Sequence, residues 1–114
     1  MGDIFLENKD KQYHSPVMLR DMETKSRPRE KAIERGIGVL TNAELLALLI
    51  GSGSEGETVV DLCDRILRDN DSKLYNLERM DIKDLMRYRG IGESKAVVIS
   101  AAMELARRCR VEKL

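Results

Sequence analysis

Apolar residues recur along this chain at steps of three and four, broken by short polar stretches that carry turn and capping signals. In TNAELLALLI (41–50), Thr41 stands as an N-cap with Glu44 three residues later, the spacing of a capping box. Leu45, Leu46, Leu48, Leu49 and Ile50 make that segment apolar nearly all round, which predicts a central helix. It stops at GSGSEG. In TVVDLCDRILRDN, Val59, Leu62, Cys63, Ile66 and Leu67 form a single stripe and predict a second long helix. Upstream, SRPREKAIERG predicts a short charged helix, with Pro28 in its first turn, Gly36 at its end, and Ala32 and Ile33 as core contacts.

Downstream, SKLYNLERM reads as a short helix or turn that packs Leu74 and Leu77. Asp81 caps DIKDLMRYR, which is expected to turn Ile82, Leu85 and Met86 inward and to end at Gly90. The last helix runs from about Glu93 to about Arg110. Ala96, Ile99, Met103 and Ala106 form its stripe, Val98, Ala102 and Leu105 widen it, and Arg107, Arg108 and Arg110 suit its C-terminal end. Strand-like alternation is missing throughout. The expected fold is all-α: a compact bundle of five or six short helices. Residues 1–25 are polar and aperiodic apart from IFL and VML and read as a flexible arm, which leaves 26–114 as the folded domain.

Composition narrows the function more than the fold. The chain has 114 residues, enough for one modest domain. Twenty basic side chains balance twenty acidic ones, so any attraction for nucleic acid must be local. With no Trp and one Phe, a base-stacking platform is not expected. Cys63 and Cys109 lie far apart in apolar helical patterns and read as reduced thiols, in the core or half-buried. His14 is the one histidine, so no zinc-ligand pattern can be drawn and no metal or cofactor is expected. There is no secretory signal and no apolar run of about eighteen residues. The expectation is a cytoplasmic chain without a membrane partner.

One stretch carries chemistry: RYRGIGESKAVVI, residues 87–99. A helix must stop, turn within a few residues and start again. Gly90 suits the left-handed conformation that ends the first helix, Ile91 anchors the turn in the core, and Gly92 is expected to let another backbone approach closely. Amides at the start of the next helix then face outward, an arrangement that suits an anion. Ser94 and Lys95 stand where a hydroxyl and an ammonium could join a phosphate contact, and Arg87 and Arg89 approach from the preceding helix. Leu85, Gly90, Ile91, Gly92, Ala96, Val98 and Ile99 together resemble the helix-hairpin-helix motif.

The arrangement recurs at Gly51, Ser52 and Gly53, between the two long apolar segments. There the middle residue is Ser, and Glu55, Glu57, Asp61 and Asp64 would repel phosphate. From Lys83 to Lys95 four basic residues meet two acidic ones, whereas Gly51 to Asp64 holds four acidic and no basic residues. The second hairpin is therefore the candidate DNA-binding site, made of Arg87, Arg89, Gly90, Ile91, Gly92, Ser94 and Lys95. The first is a degenerate partner that completes the fold. No nucleophile–base pair or carboxylate constellation is present to suggest catalysis.

The order of segments is more specific than the motif. RPREK (Arg27 to Lys31), then LTNAELL (Leu40 to Leu46), then RGIGESKAVVISAAMELARR resembles the N-terminal domain of the RadC, or UPF0758, family over about residues 26–110. The resemblance implies a tandem helix-hairpin-helix domain, attached in longer members to a JAB/MPN metal-hydrolase domain with a His-x-His-Pro motif. That motif does not occur here, so metal-dependent chemistry is carried over to no residue of this chain, and the chain is expected to be an excised domain or a short version. Two readings stay open. One is a non-enzymatic, sequence-independent binder of the DNA phosphate backbone. The other is a protein-interaction domain that positions a JAB/MPN domain of the same parent chain.

Overall fold

A computed structural model describes residues 28–53 and 56–114. The arm at 1–25, with His14, and the acidic Glu55 lie outside the described residues. Among the described residues six α-helices follow one another: α1 at 28–35, α2 Asn42–Ile50, α3 Val59–Asp69, α4 Leu74–Glu78, α5 Ile82–Met86 and α6 Glu93–Lys113. A 3-10 turn, Ile37–Val39, joins α1 to α2. No β-strand occurs among the described residues. The all-α bundle of short helices is as the periodicity predicts.

Side-chain caps fix three of the starts. Thr41 Oγ1 accepts the Glu44 N–H at 3.1 Å, and Glu44 Oε1 accepts the Thr41 N–H at 2.9 Å, so the capping box forms as its spacing requires. Thr58 caps α3 through the Asp61 N–H, and Asp81 caps α5 through the Asp84 N–H. Gly36 ends α1 with φ +96°, a left-handed value that glycine reaches without strain.

α2 packs against α3 and α6, and α6 also contacts α4 and α5. The core takes Leu46, Ala47 and Ile50 from α2 and Leu62, Cys63 and Ile66 from α3. Leu77, Leu85, Ile91, Ala96 and Ile99 close it from the other side. Full burial of each large aliphatic among them contributes about 1.5–3 kcal/mol. Burial also pushes the Cys63 thiol up to about 12, helped by Asp64 and Glu57, so it stays protonated and unreactive.

Several expected core contacts face solvent instead. Ile33 is 78% exposed. The Lys31 ammonium pairs with Glu44 Oε2 at 2.7 Å and turns that side of α1 toward α2. Ile33, two residues or about 200° further round, therefore points away. Leu74, Ile82 and Met86 are also exposed. α4 and α5 have five residues each, little more than one turn, and each buries a single side chain, Leu77 or Leu85. On α6, Ala96 and Ile99 are buried and Met103 is partly buried, but Val98, Leu105 and Ala106 are exposed. The helix outruns the bundle after Met103. Cys109 lies on that outrun and is exposed, whereas a core or half-buried position was expected.

Candidate nucleic-acid interface

The turn between α5 and α6 is built from short-range bonds. Arg87 N–H donates to Asp84 O at 3.2 Å, Tyr88 N–H to Leu85 O at 3.2 Å, and Ile91 N–H to Tyr88 O at 3.0 Å. α5 stops at Met86, so Arg87 and Arg89 leave from the turn rather than from the helix, and both are exposed. Gly90 has φ +98°, the value expected of the residue that reverses the chain. Ile91, only 3% exposed, pins the turn to the core. Gly92 is the N-cap of α6, and its carbonyl accepts the Ala96 N–H at 3.0 Å.

No side chain caps α6. α2, α3 and α5 each carry a Thr or Asp that accepts a first-turn amide. At α6 the corresponding place holds Gly92, and Gly92, Glu93 and Ser94 are all exposed. The first-turn amides therefore lie at the surface with the positive end of a helix dipole behind them. Glu93, in that first turn, sets one carboxylate beside them.

Gly92 does not serve the purpose its spacing suggested. A Cβ built there meets nothing within 4 Å, and its φ of −90° is open to any residue. The close backbone approach falls at Gly53 in the other loop, where a Cβ would lie 2.4 Å from the Glu57 carbonyl oxygen and 2.8 Å from the Val59 nitrogen. Both loops need a glycine for its φ, Gly51 at +88° and Gly90 at +98°, and the first also needs Gly53 for space inside the chain.

Lys95 is half-buried and already engaged. Its Nζ donates to the Ser52 carbonyl at 2.8 Å, to Ser52 Oγ at 2.9 Å and to the Gly90 carbonyl at 3.2 Å. A second link, which the sequence did not disclose, ties the turn to α3. Tyr88 OH donates to Asp69 Oδ2 at 2.9 Å, and the Arg65 guanidinium lies 5.5 Å from the centre of the Tyr88 ring. Arg65 itself donates to both carboxylate oxygens of Glu57, at 3.1 and 2.9 Å. Burial first, then the bond to Asp69, pushes the Tyr88 phenol above its ordinary value. Arg65, Met80, Asp84, Arg87 and Tyr88 line a shallow groove beside this network. Of the sequence-derived site residues, the fold gathers Arg87, Arg89, Gly90, Ile91, Gly92, Ser94 and Lys95 on one turn.

Among the described residues no group of three or more His, Cys, Asp or Glu side chains is placed to hold a metal ion. Nor is any described helix long and apolar enough to cross a membrane.

Two helices joined through Gly-Ile-Gly, with the isoleucine buried and the second helix uncapped, make a helix-hairpin-helix module. The family model described as UPF0758 N-terminal matches residues 19–97, and the chain belongs to that family. A UPF0758 protein of Porphyromonas gingivalis is 46% identical over 93 residues, covering 81% of this chain and 41% of the relative. One of Flavobacterium johnsoniae is 45% identical over 100 residues, covering 88% of this chain and 43% of the relative. A third, from Methanococcoides burtonii, is 41% identical over 95 residues, covering 83% of this chain and 41% of the relative. The chain spans about two-fifths of the length of these relatives. No solved structure matches it.

Proposed function

We propose that this N-terminal module binds the DNA phosphate backbone without sequence preference and does no chemistry of its own. The uncapped N-terminus of α6, held at the surface by the Gly90–Gly92 turn, carries the reading. First-turn amides, together with the Ser94 hydroxyl, would bind one or two phosphate oxygens. Arg87 and Arg89 place positive charge beside them, and Lys95 adds its field from behind the turn. Ile91 and Gly90 hold the shape. A turn of this size reaches phosphate but enters no groove deeply, so base identity is not read. The module would deliver an attached or partner domain to DNA.

The test is an anisotropy titration of labelled single-stranded, duplex and branched DNA at about 50 mM and about 200 mM salt. Gly92→Glu is the informative variant, because a Cβ there meets nothing within 4 Å and the residue is exposed. Native protein should bind at the lower salt, and the variant should bind at least about tenfold more weakly at an unchanged melting temperature. Native protein without low-salt affinity would end the DNA reading for this module.

The outrun of α6 favours a second reading. Val98 and Leu105, seven residues apart and so on nearly the same face, are exposed on this helix, Leu105 at 68%. That surface suits a docking role toward a JAB/MPN domain of the same parent chain. It predicts association in trans with the downstream domain of a longer family member, insensitive to salt and lost on Leu105→Asp, with no DNA affinity.

A further inference from the structure

The first Gly-x-Gly loop is acidic in its surroundings, yet the fold sets it directly against the second. Lys95 spans the two. An ammonium has three protons to donate, and the Ser52 carbonyl, Ser52 Oγ and Gly90 carbonyl offer three acceptors at 2.8, 2.9 and 3.2 Å. All three are neutral oxygens, so this is a hydrogen-bonded bridge rather than an ion pair. Each of its ends has a backbone shape that depends on glycine. On one side Gly51 sits at φ +88° and Gly53 is pressed against the Glu57–Val59 backbone. On the other, Gly90 sits at φ +98° and Ile91 is buried.

The position of Lys95 in its helix strengthens the case. It is the third residue after the N-cap of α6, where a cation opposes the helix dipole. The same position in α2 is Glu44, which turns back to cap its own helix. Lys95 turns sideways instead. It leaves the α6 amides uncapped and fastens the turn that displays them.

We infer that Lys95 and Ser52 are positioning residues. The ammonium latches the Gly51–Gly53 loop to the Gly90–Gly92 turn and sets the pose of the α6 amides, while forming no bond to phosphate itself. The inference rests on the DNA reading for its ligand and on the bridge geometry alone for the latch. The first loop thereby serves as a receptor for one side chain of the second.

The experiment compares native protein with Lys95→Met, which keeps the aliphatic stem, and with Ser52→Ala, which removes one acceptor. Hydrogen exchange is followed without DNA at the Gly51 and Ile91 amides, which bond to Ala47 O and Tyr88 O. Lys95→Met should speed exchange severalfold at both sites, and unchanged exchange at both overturns the latch. Duplex affinity is then measured across salt, at a temperature where every protein is fully folded. Each variant should bind roughly two- to tenfold more weakly, the double variant no worse than Lys95→Met, and the salt slope should match the native one. A slope reduced by about 0.9, the signature of one lost phosphate contact, overturns the inference whatever exchange shows. If native protein binds no DNA at low salt, the DNA reading fails and the exchange result alone decides the latch. If Lys95→Met does not fold, Ser52→Ala decides it: faster exchange at Ile91, across the bridge, upholds it and unchanged exchange overturns it.

Discussion

Gly53 and Gly92 look interchangeable as letters, each the second glycine of a Gly-x-Gly, yet they should respond oppositely to a methyl group. At Gly53 the added carbon would meet main-chain atoms at 2.4–2.8 Å, which cannot swing aside as a flexible side chain could. Gly53→Ala should cost at least about 1–3 kcal/mol in denaturant unfolding. Gly92→Ala enters open space at an ordinary φ, and its stability should stay within about 0.5 kcal/mol of native. Glu44 gives a second test at this scale, read through pH. The Lys31 ammonium first, and then the Thr41 backbone N–H, hold its carboxyl below the ordinary value of 4.5, against the opposing effect of burial. A carboxyl whose folded value is depressed stabilises the fold fully above its unfolded value and loses that stabilisation as pH falls through the folded value. Glu44→Gln retains the capping geometry and removes the charge. Its deficit, about 1–2 kcal/mol at pH 7 for a pair between exposed and buried, should shrink as pH drops below 4.5, as thermal melts across that range would show.

Elements divide by how far α6 runs past its neighbours. Arg108 to Leu114 are all exposed, and the ion pairs there, Arg108 with Glu104 and Arg110 with Glu78, lie at the surface. A chain ending at Arg107 should therefore melt within about 5 °C of native, whereas Leu77→Ala, in a helix of only five residues, should cost about 2–5 kcal/mol. Thermal and denaturant unfolding of the two would reverse that order if the outrun were part of the core. The same contrast explains what could be read from the sequence. Capping boxes, stripes and glycine stops depend on residues within one or two turns, so α2, α3, the start of α6 and the Gly90 stop were legible. Which side of α4 and α5 faces inward depends on how neighbours dock on a single turn, and Leu74, Ile82 and Met86 were misplaced for that reason. The site divided along the same line. Arg87 through Ser94 are neighbours in the chain, so a motif could single them out as candidates. The Ser52 acceptor lies 43 residues from Lys95, and Asp69 lies 19 from Tyr88, and no spacing rule reaches that far.

At the scale of the molecule, charge sums to zero and function must come from its arrangement. The acidic stretch from Gly51 to Asp64 and the basic stretch from Lys83 to Lys95 are far apart in sequence. Lys95 and Ser52 bring the two loops into contact, and Glu57 of the acidic stretch is itself paired with Arg65. On the DNA reading proposed above, the footprint is small: the α6 amides, with Arg87 and Arg89 beside them. Counterion release counts the phosphates neutralised, at about 0.9 per phosphate on duplex DNA. A footprint of one or two phosphates gives a slope of log affinity against log salt of about −1 to −2. Titration of a short duplex at four or five salt concentrations measures it directly. A slope steeper than about −4 would require a cationic face several phosphates wide and would overturn a footprint limited to this turn. The small slope also implies weak binding by the module alone, so tight capture of DNA by a longer family member would have to draw on contacts outside this turn.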